Sequence, residues 1–231
     1  FGIPYIGPRI EASVLSYNKI LTKHLAAIAN VKTLPYEIVN RTSLPNFNFP
    51  IIVKPAHLGS SIGISIAKNE SEFSYALDQA FELDDSAIVE PYWENVKEFN
   101  LAGAKIDGKI VFSNIEEPKK EGYLNFDRKY LDFSRSGAIE PARPGALLAG
   151  KMKDAFTKIY EQGFYGALIR CDFFEKEGEI YLNEINPNPG SLANYLFDDF
   201  SEVLAALASS LPPMRQIPVS YELITKITAN K

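Results

Sequence analysis

Residues 168–186 bring acid, amide and guanidinium groups together at strand spacing. LIRCDFF (168–174) is followed by the turn-like EKEGE (175–179) and then by YLNEIN (181–186). Side chains alternate along a strand, so Arg170, Asp172 and Phe174 share one face. By the same rule Leu182, Glu184 and Asn186 share a face of the second strand. A hairpin centred on Gly178 sets Asp172 opposite Glu184 and Arg170 opposite Asn186. Two carboxylates directly across a ladder repel each other. A shared proton relieves the repulsion, and so does a cation. Oxygens from Asp, Glu and Asn suit a hard ion such as Mg²⁺, which takes few protein ligands and fills its shell with phosphate and water. Arg170 adds a fixed positive charge beside the pair. For any one of these residues alone, a solvated polar strand face is the simpler account. The four at matched spacing, with Ile169, Cys171, Phe173 and Ile185 on the opposite faces, favour a metal site. Cys171 reads as a small apolar core residue.

A second group of residues could hold phosphate. KPAHLGSSIG (54–63) sets Lys54 at a strand end before a Gly/Ser turn. Backbone N–H groups near Gly59 and Gly63 can approach an anion closely, and Lys54 can bind phosphate as a point charge. The P-loop pattern, with lysine directly between glycine and Ser/Thr, is not met. Downstream, Glu90 and Glu98 flank PYWENVK. Tyr92 and Trp93 could wall a base and Glu98 could bond a ribose hydroxyl; an aromatic-lined junction explains them equally well. His24 and His57 are the only histidines. His24 reads as structural, and His57 lies near the phosphate loop without a proton-transfer role.

These segments need elements to carry them. Apolar spacing predicts a helix over 13–30, with Lys19 and Lys23 on its other faces. Further helices are expected over 70–81, 151–162 and 201–210. Strands are expected over 36–40, 50–55, 86–93, 98–106 and 109–117, with Asp107–Gly108 as a hairpin turn. Residues 118–146 lack periodicity and read as a long functional or mobile loop. The mixture is α+β, with mostly antiparallel hairpins and two lobes meeting near Glu90–Glu98.

Bulk properties exclude several classes. The chain has 231 residues, 46% hydrophobic and 23% charged, with a net charge of −5 and no long basic run, so nothing points to nucleic acid. No apolar stretch reaches the roughly 18–20 residues of a membrane span, and no secretory pattern opens the chain. A single cysteine rules out an intrachain disulfide framework. A cytoplasmic setting is the expectation. The opening FGIPYIGPRIEAS reads as the interior of a longer protein.

In order, GIPYIG, NKILTK, KPAHLGSSIGIS, VEPYW with KEFN, RKYLDF, GALIRCDFF and NEINPNPG resemble the ATP-grasp family, most closely its D-alanine–D-alanine ligases. The resemblance spans residues 2–190. It implies an ATP-grasp fold of two α+β lobes clamping ATP: a central lobe over 1–93 and a C-terminal lobe over 94–231 with the mobile loop 118–146. It implies an acyl-phosphate mechanism in which ATP phosphorylates one D-alanine and the amine of a second attacks. Lys19 and Lys54 match lysines that hold ATP phosphates, and Ser61 a phosphate contact. Glu90, Pro91, Tyr92 and Trp93 match the adenine connector, Glu98 the ribose ligand and Phe174 a residue packed under adenine. Asp172, Glu184 and Asn186 match ligands for two Mg²⁺ ions, with Mn²⁺ as an alternative. Arg170 and the N–H of Gly190 match transition-state groups. Lys129 and Tyr130 match the closing loop, and Ser60 a serine bonded to that tyrosine.

Two positions depart from the family pattern. Asn18 stands where Asp precedes the lysine, and Tyr195 stands where a serine holds the substrate carboxylate. The family's N-terminal substrate domain is expected upstream of Phe1, outside this sequence. The partners implied are two D-alanine molecules, with a homodimer allowed and neither nucleic acid nor membrane. The alternatives are another ATP-grasp carboxylate–amine or depsipeptide ligase, a small-molecule kinase on the same fold, and a nucleotide-binding fragment without turnover.

Overall fold

A computed structural model describes residues 3–94, 96–118, 141–211, 221–222 and 225–226. Lys129 and Tyr130, with most of the 118–146 loop, lie outside the described residues. The expected helix over 13–30 is two helices, α1 (Ile10–Tyr17) and α2 (Lys19–Ile28). The break falls at Asn18, whose backbone is extended and whose side-chain oxygen accepts from the N–H groups of Ile20 and Leu21. Such a cap satisfies donors that a helix start leaves unpaired.

Two four-stranded sheets follow. The first has the order β1-β4-β2-β3, all antiparallel, from β1 (Glu37–Val39), β2 (Ile51–Pro55), β3 (Ser65–Ala67) and β4 (Ala87–Pro91). Alternation gives its faces opposite characters. Ile51, Val53, Ala87 and Val89 pack under Phe73, Ala76, Leu77 and Ala80 of α3 (Glu70–Leu83). The other face carries Lys54 and Glu90, both buried.

The second sheet has the order β6-β5-β7-β8, from β5 (Lys97–Ile106), β6 (Lys109–Glu116), β7 (Ile169–Lys176) and β8 (Glu179–Asn186). Asp107 and Gly108 turn the β5–β6 hairpin with φ of 47° and 81°, as that dipeptide favours. One face of this sheet forms the largest core. Phe99, Leu101, Ile169, Cys171, Phe173, Leu182 and Ile185 pack against α1, α2 and α4 (Ala146–Tyr160). Burying a side chain the size of Phe173 contributes about 2–3 kcal/mol. The helices α1 and α2 thus share their core with the second sheet, although they precede the first in sequence. On the opposite face, Ala102, Ala104, Ile106 and Leu168 are covered by the segment Gly190–Leu196 and by α5 (Phe200–Ser209). The rest of that face carries Arg170, Asp172 and Phe174 of β7 with their β8 partners Asn186, Glu184 and Tyr181. Among the described residues, no helix is long and apolar enough to cross a membrane.

Candidate functional site

The polar half of the second sheet holds the residues that strand alternation groups together. Asp172 pairs with Glu184 and Arg170 with Asn186, as the sequence predicts. The route to that register differs from the expectation. The turn is Glu177–Gly178, both left-handed at φ 55° and 77°, with Lys176 opposite Glu179. That turn alone would set Asp172 opposite Asn183. A bulge between the Asp172 and Phe173 pairings absorbs one residue of β8 and restores Glu184 to its place. The bulge also corrects one expectation: Leu182 does not share a face with Glu184 but is 1% exposed in the core. Asn183 instead joins the polar side, and its Oδ1 accepts from Lys54 Nζ at 3.4 Å. The spacing was a usable signal, because the apolar residues Leu182 and Ile185 sit three apart rather than two or four.

Arg170 and Asp172 form a bidentate pair. Nε donates to Oδ1 at 2.7 Å and Nη2 to Oδ2 at 2.8 Å, while Asn186 Nδ2 donates to the same Oδ2 at 3.0 Å. Arg170 Nη1 also donates to the Tyr195 hydroxyl at 3.3 Å. Burial works against the guanidinium charge, but the Asp172 carboxylate outweighs it and Arg170 is held more firmly protonated. Glu184 is shifted the other way. Burial and the neighbouring Asp172 push its carboxyl above the ordinary range, against the pull of Lys19, Lys54 and Arg170. A carboxyl that is costly to ionise beside another carboxylate is a site that a cation would relieve. The donors are all oxygen, which fits a hard divalent ion. Such an ion would compete with Arg170 for Asp172 and would require the Asn186 amide to turn its oxygen inward.

The first sheet faces this group with lysines. Lys54 Nζ donates to Glu90 Oε2 at 2.5 Å. Lys23 ion-pairs with Oε1 of the same carboxylate and donates to the Leu34 carbonyl at 3.2 Å. The Glu90 side chain is 1% exposed. Burial alone would raise its carboxyl, but the two ammonium groups prevail and keep it ionised below the ordinary range. Burial also depresses the Lys23 ammonium, against the pull of Glu90. The Glu90 side chain therefore anchors two lysines. Lys23, expected with Lys19 on the other faces of the helix, is buried, and its part in this group was missed. Its partner is distant in sequence, and helical spacing carries no sign of it.

Lys19 lies at the start of α2, with its backbone N–H on the Ala56 carbonyl at 2.8 Å and its Nζ on the Leu58 carbonyl. Burial lowers its ammonium, while Glu184 pulls it back up. Ser60 and Ser61 both take left-handed backbone, at φ 58° and 60°. Gly63 is also left-handed, and a Cβ there would lie 2.7 Å from Pro55 Cγ and 2.8 Å from Leu83 Cδ1. Gly59 has open space around it, so the tight fit belongs to Gly63.

Pro91 ends β4, and Tyr92 and Trp93 follow it. The Tyr92 N–H bonds the Pro50 carbonyl at 3.0 Å. Trp93 meets the edge of Tyr181 with ring centroids 5.0 Å apart, and Lys176 Nζ lies 4.4 Å from its ring centre. Phe174 pairs with Tyr181 on one side and with Glu98 on the other. Glu98, Phe174, Tyr181 and Trp93 thus form one neighbourhood, in which Tyr181 and Lys176 are additions to the sequence-predicted set. Gly190 opens a turn in which Ser191, Leu192 and Ala193 are all left-handed, at φ 50°, 51° and 52°. Strain of this kind tends to collect at functional sites, and Ser-Leu-Ala gave no hint of it.

Comparison with known proteins identifies the family. The family model for the D-ala D-ala ligase C-terminus matches residues 23–203. The chain is 57% identical to the D-alanine--D-alanine ligase of Campylobacter concisus, over 100% of this chain and 67% of that protein. It is 54% identical to that of Wolinella succinogenes, over 68% of that protein. Among solved structures, the D-alanine-D-alanine ligase from Helicobacter pylori has a TM-score of 0.80 and 49% identity, covering 93% of this chain and 64% of that one. The chain thus spans about two thirds of the length of these relatives. With the ATP-grasp arrangement of two antiparallel sheets and their helices, the chain belongs to the D-alanine–D-alanine ligase family.

Proposed function

We propose that this chain carries the nucleotide- and metal-binding half of an ATP-dependent ligase joining two D-alanine molecules into D-alanyl-D-alanine, a cytoplasmic step in peptidoglycan precursor and cell-wall synthesis. The observation that supports it most is the juxtaposition on one polar face. A carboxylate pair that favours a cation lies beside Arg170 and is coupled to Lys19 and Lys54 from the other side. Membership of the family gives that charge pattern its chemistry.

In this assignment the phosphates of ATP lie between Lys19, Lys54 and Ser61. Adenine rests against Phe174 and the Pro91–Trp93 connector, with Glu90 holding the connector strand through its lysines and Glu98 toward the ribose. Asp172, Glu184 and Asn186 hold up to two Mg²⁺ or Mn²⁺ ions, whose charge offsets that of the phosphates. Phosphoryl transfer to the carboxylate of one D-alanine gives an acyl phosphate. The amine of the second D-alanine attacks its carbonyl, and expulsion of phosphate leaves the peptide bond. Arg170 and the Gly190 N–H are placed to stabilise charge that develops in these steps, a preorganised electrostatic role. Lys129, Tyr130 and Ser60 are assigned to closing the site. The lobes are assigned to the two sheets and divide near residue 93, with α1 and α2 seated on the second. A homodimer is compatible with this assignment; nucleic acid and membrane have no part in it.

The test is phosphate release from ATP by the natural full-length enzyme over a panel of amino and hydroxy acids. D-alanine is expected to give the highest kcat/KM, with dipeptide and phosphate formed in equal amounts. Preference for a hydroxy acid would move the assignment to a depsipeptide ligase, and a stable phosphorylated product would move it to a kinase.

A further inference from the structure

Beside the phosphate loop, three side chains from three elements form one continuous hydrogen-bonded chain. Asp84, just after α3, takes the His57 backbone N–H on Oδ2 at 2.7 Å and His57 Nδ1 on Oδ1 at 2.9 Å. The other ring nitrogen, Nε2, meets Asn18 Nδ2 at 2.9 Å. Asn18 Oδ1 accepts from Ile20 N at 2.8 Å and Leu21 N at 3.2 Å. Those two N–H donors fix which end of the amide is oxygen, so Nδ2 must face the ring. A carboxylate only accepts, so Nδ1 carries the proton and Nε2 the lone pair. The neutral imidazole is thereby fully used. Although His57, Asp84 and Asp85 are close enough together to hold a metal ion, the ring has no free lone pair to offer one.

The consequence lies one residue on either side. Ala56 and Leu58 both accept from Lys19, through its backbone N–H and its Nζ. Residues 56, 57 and 58 are therefore stitched to 18 and 19, and Asp84 holds the stitch from behind. The Asp84 carboxylate is 4% exposed and the imidazole 27%. Burial raises the Asp84 carboxyl, yet the bonds from His57 and Ser86 outweigh it and leave it below the ordinary range, consistent with a firm anchor.

We infer that His57, clamped between Asp84 and Asn18, is a positioning residue that holds Lys19 and the 56–63 loop in register for nucleotide phosphate. This rests on the assignment of Lys19 and that loop to phosphate. His57 itself touches no reacting atom. It acts by fixing the α2 start against the loop, so its loss is felt in nucleotide binding and much less in the chemical step.

The test measures Mg–ATP affinity of this chain by calorimetry, and KM for ATP and kcat in the full-length enzyme, for His57→Ala, Asn18→Ser and the double variant. Serine caps a helix as well as asparagine but cannot reach His57. A cap alone would leave Asn18→Ser unchanged. Each single variant is expected to weaken affinity and raise KM roughly tenfold, the loss of one well-placed bond in a charged site. kcat is expected to stay within about threefold, with the double variant no worse than either single, because one linkage is broken in all three. Asp85→Asn, in the same cluster but bonded to the Ser86 hydroxyl at 3.2 Å, is expected to bind as the unsubstituted chain does. If His57→Ala unfolds, His57→Asn keeps a donor toward Asp84 and takes its place. Unchanged affinity in Asn18→Ser, or multiplying effects in the double variant, overturns the inference. Failure of the unsubstituted chain to bind Mg–ATP overturns the phosphate assignment beneath it, a result separable from the first because it precedes any substitution.

Discussion

Arg170→Ala is expected to lower turnover by about 10²–10³-fold while changing nucleotide affinity by less than about threefold, in the range for removal of one preorganised donor from a developing charge. The guanidinium is rigidly placed. Two bonds tie it to Asp172, and its remaining nitrogen reaches Tyr195. That leaves a fixed positive charge between the carboxylate pair and Tyr195 of the Gly190–Leu196 segment, and the proposed transition-state role gives it little part in holding the ground-state nucleotide. Arg170→Lys is expected to restore little, since an ammonium cannot reproduce the planar two-bond fork. Kinetics on the full-length enzyme, with nucleotide affinity measured separately, check both variants. Equal losses in affinity and turnover would make Arg170 a binding residue and withdraw its transition-state role.

The largest expected effect on stability comes from Glu90. Its carboxylate sits between the ammonium groups of Lys23 and Lys54 with 1% of its surface exposed. Glu90→Ala leaves two buried cations facing each other without a counter-charge. Breaking a buried pair from one side costs about 3–5 kcal/mol, a large part of the roughly 5–15 kcal/mol by which domains are stable. Glu90→Gln keeps the shape and an acceptor and is expected to lose less. The pH dependence has a definite sign. The folded-state carboxyl is depressed, so the unfolded chain takes up its proton first as pH falls. The Glu90 contribution is complete above the unfolded glutamate value of about 4.3 and is lost as pH falls through the lower folded value. Urea unfolding from pH 7 down to pH 3 is expected to show the gap between the unsubstituted chain and Glu90→Gln closing below about pH 4.3. Equal midpoints for the two at pH 7 would remove Glu90 from its structural role.

The pairing within the carboxylate hairpin was legible because its information is local. Alternation places Arg170 with Asp172 and Glu184 with Asn186, and a glycine in the connector marks the turn. What escaped was the bulge at Asn183, because the turn residues and the bulge each shift the register by one and only their sum was visible. The division between α1 and α2 was available in principle, since asparagine is a preferred cap. It was hidden by apolar residues that continue on both sides. The Lys23–Glu90–Lys54 group and the His57 clamp were out of reach for a different reason. Each joins elements brought together by sheet pairing and helix docking, and a lysine on a helix reads as solvated until a buried carboxylate is placed beside it. Family resemblance supplied a ligand role for Glu90, whereas its buried pairing with Lys23 and Lys54 became visible only in the fold.

The central claim is that Asp172, Glu184 and Asn186 hold a divalent cation together with nucleotide. The most direct measurement is electron paramagnetic resonance of Mn²⁺ titrated into this chain with and without ATP, for the unsubstituted protein and for Glu184→Gln. The account predicts tight Mn²⁺ binding only when ATP is present, and roughly tenfold weaker binding in Glu184→Gln, the usual scale for disturbing a metal's ligand set. Mn²⁺ binding that is the same in Glu184→Gln as in the unsubstituted chain would contradict it.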